Sequence, residues 1–329
     1  MKLNRRKFLQ HTVGSAVASS LFGIPASALA AEAKDALIID THQHLWDLSR
    51  QKLPWLEGVP EILKHSYRNE EYQTATRGLN IKAVYMEVDV APDQHVAEAE
   101  HVIGLARDGK NATIAAVIGG RVAAPGFPAY LNKFKRNPLV KGVRQVLHVP
   151  ETPAGYCLQD DFVRHVKLLG EQGKSFDLCL RATELSDGVK LVEKCPGTRF
   201  IVDHCGNPDL KSFRAPRAGE EKAKHTADEW RRAIVAFARQ PNVICKISGV
   251  IAGLPSGGDA SDLAPAVNHC LDAFGPDRVV FGGDWPVCLL GAPLQRWVEY
   301  LTQIISPRPA ADRRKLWAGN ALKHYALKV

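Results

Sequence analysis

The stretch Ala36-Leu37-Ile38-Ile39-Asp40-Thr41-His42-Gln43-His44-Leu45-Trp46 runs from four apolar residues straight into a histidine pair. The apolar part reads as a buried strand. Successive side chains of a strand point to opposite faces, so His42 and His44 point the same way. Two imidazoles side by side at a strand end can share a metal ion or a polarised substrate oxygen. Their partners must come from the rest of the chain.

Seven more apolar runs follow, at 81–89, 113–121, 140–147, 176–181, 200–204, 243–248 and 279–284. Helix-like stretches separate them, near 93–107, 129–136, 160–173, 186–194, 227–239 and 264–274, and two more close the chain at 294–305 and 312–325. Residues 49–60, with Pro54, Trp55 and Pro60, read as a long irregular loop. Eight strand-helix units predict a single-domain α/β chain, a (β/α)8 TIM barrel over residues 31–329. The runs are nearly continuous in apolar residues, as strands buried on both faces should be. A doubly wound open sheet would carry a glycine-rich nucleotide turn after strand one, where this chain has its histidine pair.

Residues 1–30 stand apart from that pattern. Arg5-Arg6 precedes a weakly apolar run from Thr12 to Leu29, and Ala28-Leu29-Ala30 supplies small residues for cleavage. The segment resembles a twin-arginine export signal, which predicts the translocation machinery as a partner and the periplasm as destination. Gly14, Gly23 and Pro25 make it a poor membrane span, so no stable anchor is expected. The formal charge is +8; Lys2, Arg5, Arg6 and Lys7 lie in the removed segment with no acid, which leaves +4. No basic stripe interleaves with aromatics, which argues against nucleic-acid binding. The seven cysteines match no zinc spacing and cannot all pair, so they read as small buried hydrophobes.

Active sites of such barrels lie at the C-terminal strand ends. Those ends offer His42 and His44, Glu87 and Asp89, Arg121, Arg144 and His148, Arg181, His204, Lys246 and Asp284. So many polar residues there are costly unless they face a wet or charged pocket. Asp284 follows two glycines and precedes Trp285-Pro286, which argues against an ordinary helix cap. Arg144 interrupts an apolar run: it is either paired with Glu87 or Asp89, or a fork for substrate oxygens. Arg121, Arg181, Lys246 and Trp285 join it as expected substrate contacts, Lys246 with the alternative of bracing Asp284. His148, His165, His225, His269 and His324 receive no role.

His-x-His after strand one, His after strand six and Asp after strand eight resemble the amidohydrolase superfamily. Ile39-Asp40-Thr41-His42-Gln43-His44-Leu45-Trp46, Val140-Lys141-Gly142-Val143-Arg144, Val202-Asp203-His204-Cys205-Gly206-Asn207-Pro208, Cys245-Lys246-Ile247-Ser248-Gly249 and Phe281-Gly282-Gly283-Asp284-Trp285-Pro286-Val287 are similar to its lactonase branch. That branch includes L-fuconolactonase, L-rhamnonolactonase and 2-pyrone-4,6-dicarboxylate lactonase. The resemblance implies a small-molecule lactone as substrate, with Asp284 as general base on water. His42, His44 and His204 would surround the carbonyl oxygen, acting directly or through one divalent metal, zinc being favoured. The metal ligands would be His42, His44 and Asp284, with His204 or Glu87 as a further one. Arg144 stands where binuclear members carry a carboxylated lysine, so two metals are not expected. The competing readings are a metal-dependent decarboxylase on the same barrel and a periplasmic binding protein without catalysis.

Overall fold

The computed structural model describes residues 36–329 except 217 and 218; the expected export signal, residues 1–30, lies outside the described residues. Eight strands pair in parallel and in chain order: β1 (Ile38–Gln43), β2 (Ile81–Met86), β3 (Thr113–Gly119), β4 (Val140–Val146), β5 (Ser175–Cys179), β6 (Arg199–Val202), β7 (Val243–Ile247) and β8 (Val279–Phe281). The seam between β8 and β1 is closed just beyond β8. There Asp284 N–H donates to His42 O and His44 N–H to Trp285 O, both at 2.8 Å, and Gln43 bridges Trp285. This is the TIM barrel expected.

Most strands end earlier than their apolar runs. The ladder stops at Met86, Gly119, Val202 and Phe281, whereas the runs extend to Asp89, Arg121, His204 and Asp284. The polar residues after each stop leave the ladder for the loops of the C-terminal face, where a site needs them. Helices α1 (Asn69–Ala75), α2 (His95–Asp108), α3 (Phe127–Phe134), α4 (Asp160–Glu171), α5 (Leu185–Lys194), α6 (Ala227–Ala238), α7 (Ala260–Phe274) and α8 (Leu294–Ile305) cover the outside. Short α1 was not anticipated, because its polar sequence Asn-Glu-Glu-Tyr-Gln-Thr-Ala buries only Tyr72. The terminal helix 312–325 proves to be three contiguous turns, Ala310–Arg314, a π segment Lys315–Gly319, and Asn320–His324.

Strand alternation sorts the core into two layers. Ile38, Tyr85, Ala116, Phe176, Phe200, Val243 and Phe281 face the helices. Ile39, Val84, Met86, Ala115, Val117, Ile201, Ile244 and Val280 fill the barrel, packed with Ala318, Ala321 and Tyr325 of the closing segment. The apolar fill occupies the end where the strands begin. Among the described residues no helix is long and apolar enough to cross a membrane. All seven cysteines are buried and free.

Candidate active site

The catalytic candidates sit on the barrel seam. β1 carries an irregularity between Asp40 and Gln43, where three residues of β1 span two of β2. Such a bulge re-aims the side chains beyond it. Asp40, ahead of the bulge, faces outward with Ile38 by plain alternation, accepting from Tyr72 Oη (2.8 Å) and Gly283 N–H (2.7 Å). His42 turns inward, toward Arg144, Lys246 and Asp284. The Asp40 carboxylate thus pins the glycine next to Asp284, and a Cβ at Gly283 would lie 2.5 Å from its Oδ2. Asp284 itself adopts φ +55°, a left-handed backbone that the surrounding bonds must enforce.

Three histidines and one carboxylate converge there. Asp284 Oδ1 lies 3.4 Å from His44 Nε2 and 3.6 Å from His42 Nε2. The His42 ring is 4.8 Å from that of His44 and 4.4 Å from that of His204, centroid to centroid. His44 Nδ1 is 3.0 Å from Met86 O; a carbonyl only accepts, so Nδ1 carries the proton. Nε2 of a neutral His44 therefore aims a lone pair at a carboxylate oxygen, and a proton or a cation belongs between them. His204 Nδ1 lies 3.0 Å from Ser248 Oγ, and Gly249 leaves the room: a Cβ there would sit 2.3 Å from Nδ1. Burial, then Lys246, drives the His42 pKa well down, and burial lowers that of His204, so both rings are neutral at neutral pH.

Under the histidines lies an ionic floor. Lys246 is completely buried and reaches Asp177 (2.7 Å), Asp203 (2.9 Å) and His42 Nδ1 (3.3 Å). Burial opposes its charge, but the two aspartates hold its pKa above the usual lysine value. Burial would raise Asp203, yet Lys246, His204 and Arg144 together keep its carboxyl below the usual range. Arg144 is anchored by Glu87, through Nε to Oε1 (2.6 Å) and Nη2 to the carbonyl (2.7 Å). Its Nη1 lies 3.1 Å from His42 Nε2.

Two buried tryptophans fix the loops that carry this chemistry. Trp297 on α8 donates to Gly282 O at 3.0 Å, and Trp230 on α6 donates to Cys205 O at 2.9 Å. Each indole buries a large apolar surface while its N–H satisfies a loop carbonyl.

A cavity of about 240 Å³ opens above, lined by His44, Arg144, His204 and Asp284 together with Trp55, His148 and Asn207. His148 stood among the strand-end residues but received no role, and Trp55 and Asn207 were not singled out from sequence. His148 lies two residues past the end of β4, and that position was the available signal. Arg121 lines a neighbouring cavity and pairs with Asp89 at 2.8 Å. Arg181 lines another, bonded to Glu184 and the carbonyls of Val149 and Thr152. Neither arginine joins the histidine cluster. Two expectations need correction. Lys246 is fully buried and braces Asp177 and Asp203 rather than Asp284, because it sits one layer below. Trp285 is buried edge-on against Tyr67 and Tyr72, so it supports the seam rather than meeting a substrate.

Donor chemistry decides whether a metal suits the site. The ligating atoms of His42, His44 and Asp284 all lie within 4.8 Å of one another. Two imidazoles and a carboxylate suit a divalent ion such as zinc. The Met86 carbonyl on His44 Nδ1 is the outer contact that metal-binding histidines use. His204 groups instead with His42 and Asp203. Glu87 does not join either set, because Arg144 and the Asp89 N–H occupy its carboxylate.

The family profile described as amidohydrolase matches residues 39–327. A curated L-fucono-1,5-lactonase of Burkholderia multivorans (strain ATCC 17616 / 249) is 30% identical over 305 residues, covering 89% of this chain and 97% of its own length. A crystal structure of a Burkholderia multivorans amidohydrolase with bound HEPES superposes with TM-score 0.77 at 28% identity, covering 89% of this chain and 100% of that one. A second crystal form, with bound zinc, gives TM-score 0.76 at 27% identity over the same shares.

Proposed function

This chain belongs to the amidohydrolase family, and from that premise we propose that it is a hydrolase that opens a lactone, the cyclic ester of a sugar acid or dicarboxylic acid. One observation carries the reading. Asp284 stands within 3.6 Å of two histidine Nε2 atoms at the mouth of a cavity that His204 and Arg144 also line. The similarity to a fuconolactonase supports the lactone class.

In this mechanism the Asp284 carboxylate accepts a proton as water attacks the lactone carbonyl carbon. The carbonyl oxygen takes up the electron pair and becomes an oxyanion. His204 and the free N–H groups of Arg144 face it, so charge develops against donors already in place. When the oxyanion collapses, the ring C–O bond breaks. Protonated Asp284 passes its proton to the departing ring oxygen, and the product is a ring-opened hydroxy acid. His42, His44 and Asp284 would hold a divalent ion, and when bound it would supply Lewis-acid polarisation of the carbonyl. Arg144 also orients acidic or hydroxylated substrates through its planar fork.

A pH-indicator screen of sugar-acid and aromatic lactones, beginning with L-fucono-1,5-lactone, tests the reading. The expected result is opening of at least one lactone by the wild type and near-complete loss in Asp284→Asn. If no lactone opens, and Asp284→Asn matches wild type on every hydrolysable substrate, the reading fails. Export to the periplasm is a separate proposal, resting on Arg5 and Arg6. Replacing both by lysine should leave the protein in the cytoplasm, and unchanged export overturns it.

A further inference from the structure

We propose that Arg144 is the resident cation of the active site, and that its hold on the His42 Nε2 lone pair weakens the site's affinity for a divalent metal ion. The inference rests on the reading of His42, His44 and Asp284 as one donor set.

Both nitrogens of His42 face cations: Lys246 Nζ at 3.3 Å from Nδ1, and Arg144 Nη1 at 3.1 Å from Nε2. A neutral imidazole has one lone pair, so only one of these contacts is a hydrogen bond to it. Lys246 already donates to Asp177 at 2.7 Å and lies 2.9 Å from Asp203. Asp203 Oδ1 at 3.7 Å from Nδ1 and Asp284 Oδ1 at 3.6 Å from Nε2 both lie beyond hydrogen-bond distance of the ring. Arg144 Nη1 has no comparable alternative, since Asp203 Oδ2 is 3.9 Å away. The proton therefore belongs on Nδ1, and the Nε2 lone pair accepts from Arg144.

Metal ligation at Nε2 requires that same tautomer and that same lone pair. The guanidinium and an ion compete for it, and the permanent positive charge adds repulsion. Arg144 cannot swing aside freely, because Nε and Nη2 are tied to the Glu87 carboxylate and carbonyl. The side chain is 5% exposed, so its charge is little screened by water.

Zinc chloride titration by competition with a chromophoric chelator tests this without any lactone, so its outcome is independent of the hydrolase reading. Arg144→Met should bind zinc about tenfold tighter or more than wild type, the scale of a lost charged hydrogen bond. That variant strands the Glu87 charge and exposes a new carboxylate ligand, so Arg144→Met/Glu87→Gln is measured beside it. A gain in both variants supports the proposal. A gain in the single variant alone assigns the effect to Glu87 and overturns it, as does unchanged or weaker binding in both. Where the variants do not fold, nitrogen-15 NMR of wild-type His42 decides. An Nδ1–H tautomer is expected, and an Nε2–H tautomer overturns the proposal.

Discussion

The two ends of the barrel interior are equally buried and chemically opposite. Where the strands begin, Ile39, Val84, Ala115, Val117, Ile201, Ile244 and Val280 fill the space with side chains that need no partners. Where they end, Lys246, Asp177, Asp203, Arg144, Glu87, His42 and Asp284 fill it with groups that need partners at every atom. Burying an apolar side chain contributes about 1.5–3 kcal/mol each. Replacing a buried ion pair by apolar residues is often neutral or stabilising, which makes the ionic end weak evidence of stability. The apolar end holds the barrel closed, and the ionic end holds imidazoles in one orientation and one charge state.

The sharpest way to break that contrast is Asp284→Asn. We expect kcat/KM for lactone opening to fall by about 10³-fold or more, with the melting temperature nearly unchanged. A large loss of stability together with retained turnover would place Asp284 on the structural side. Lys246→Met should destabilise by about 3–5 kcal/mol, because it leaves two buried carboxylates without their cation. Adding Asp177→Asn should recover part of that loss in denaturant melts; no recovery would show that the floor is not a coupled ionic unit.

At the apolar end, Ile244→Ala should cost about 2–4 kcal/mol through cavity formation, while turnover per folded molecule stays at the wild-type level. A specific loss of kcat there would deny that the two ends are separable. The smallest effect concerns Glu98, buried behind Glu87 and accepting from Tyr85 Oη and the Val88 N–H. Burial, with Glu87 beside it, pushes its carboxyl up to about 8 from an ordinary 4.5. The folded protein keeps this proton where the unfolded chain has released it, so its contribution is complete below 4.5 and lost as pH rises through 8. Glu98→Gln mimics the protonated acid. It should gain on wild type by a few degrees or less between pH 5 and pH 8, as read from thermal melts at each pH. A gap that shrinks with rising pH has the wrong sign and excludes the raised pKa.

Much of the fold was legible because apolar runs and helical stretches alternate eight times, and a parallel barrel buries both faces of its strands. His42, His44, His204 and Asp284 were legible because each is a polar residue at the end of such a run. Strand ends were misjudged because the chain stays extended and partly apolar after the ladder stops. Trp285 and Lys246 were misassigned for a related reason. Position along a strand tells which end a residue occupies, but not whether its side chain stops in a cavity or one layer beneath it.

By itself the sequence determined the number of strand-helix units, the end at which the polar groups collect, and the family motifs. Only the tertiary structure decided that a bulge in β1 separates Asp40 from His42, that the seam's two hydrogen bonds lock Asp284 beside the histidine pair, and that Arg144 holds Glu87 and His42 together. The physical reason is range. Periodicity and turn chemistry act over a few neighbouring residues, whereas the seam and Arg144 contacts join positions 57 to 242 residues apart. Their geometry exists only once the barrel has closed.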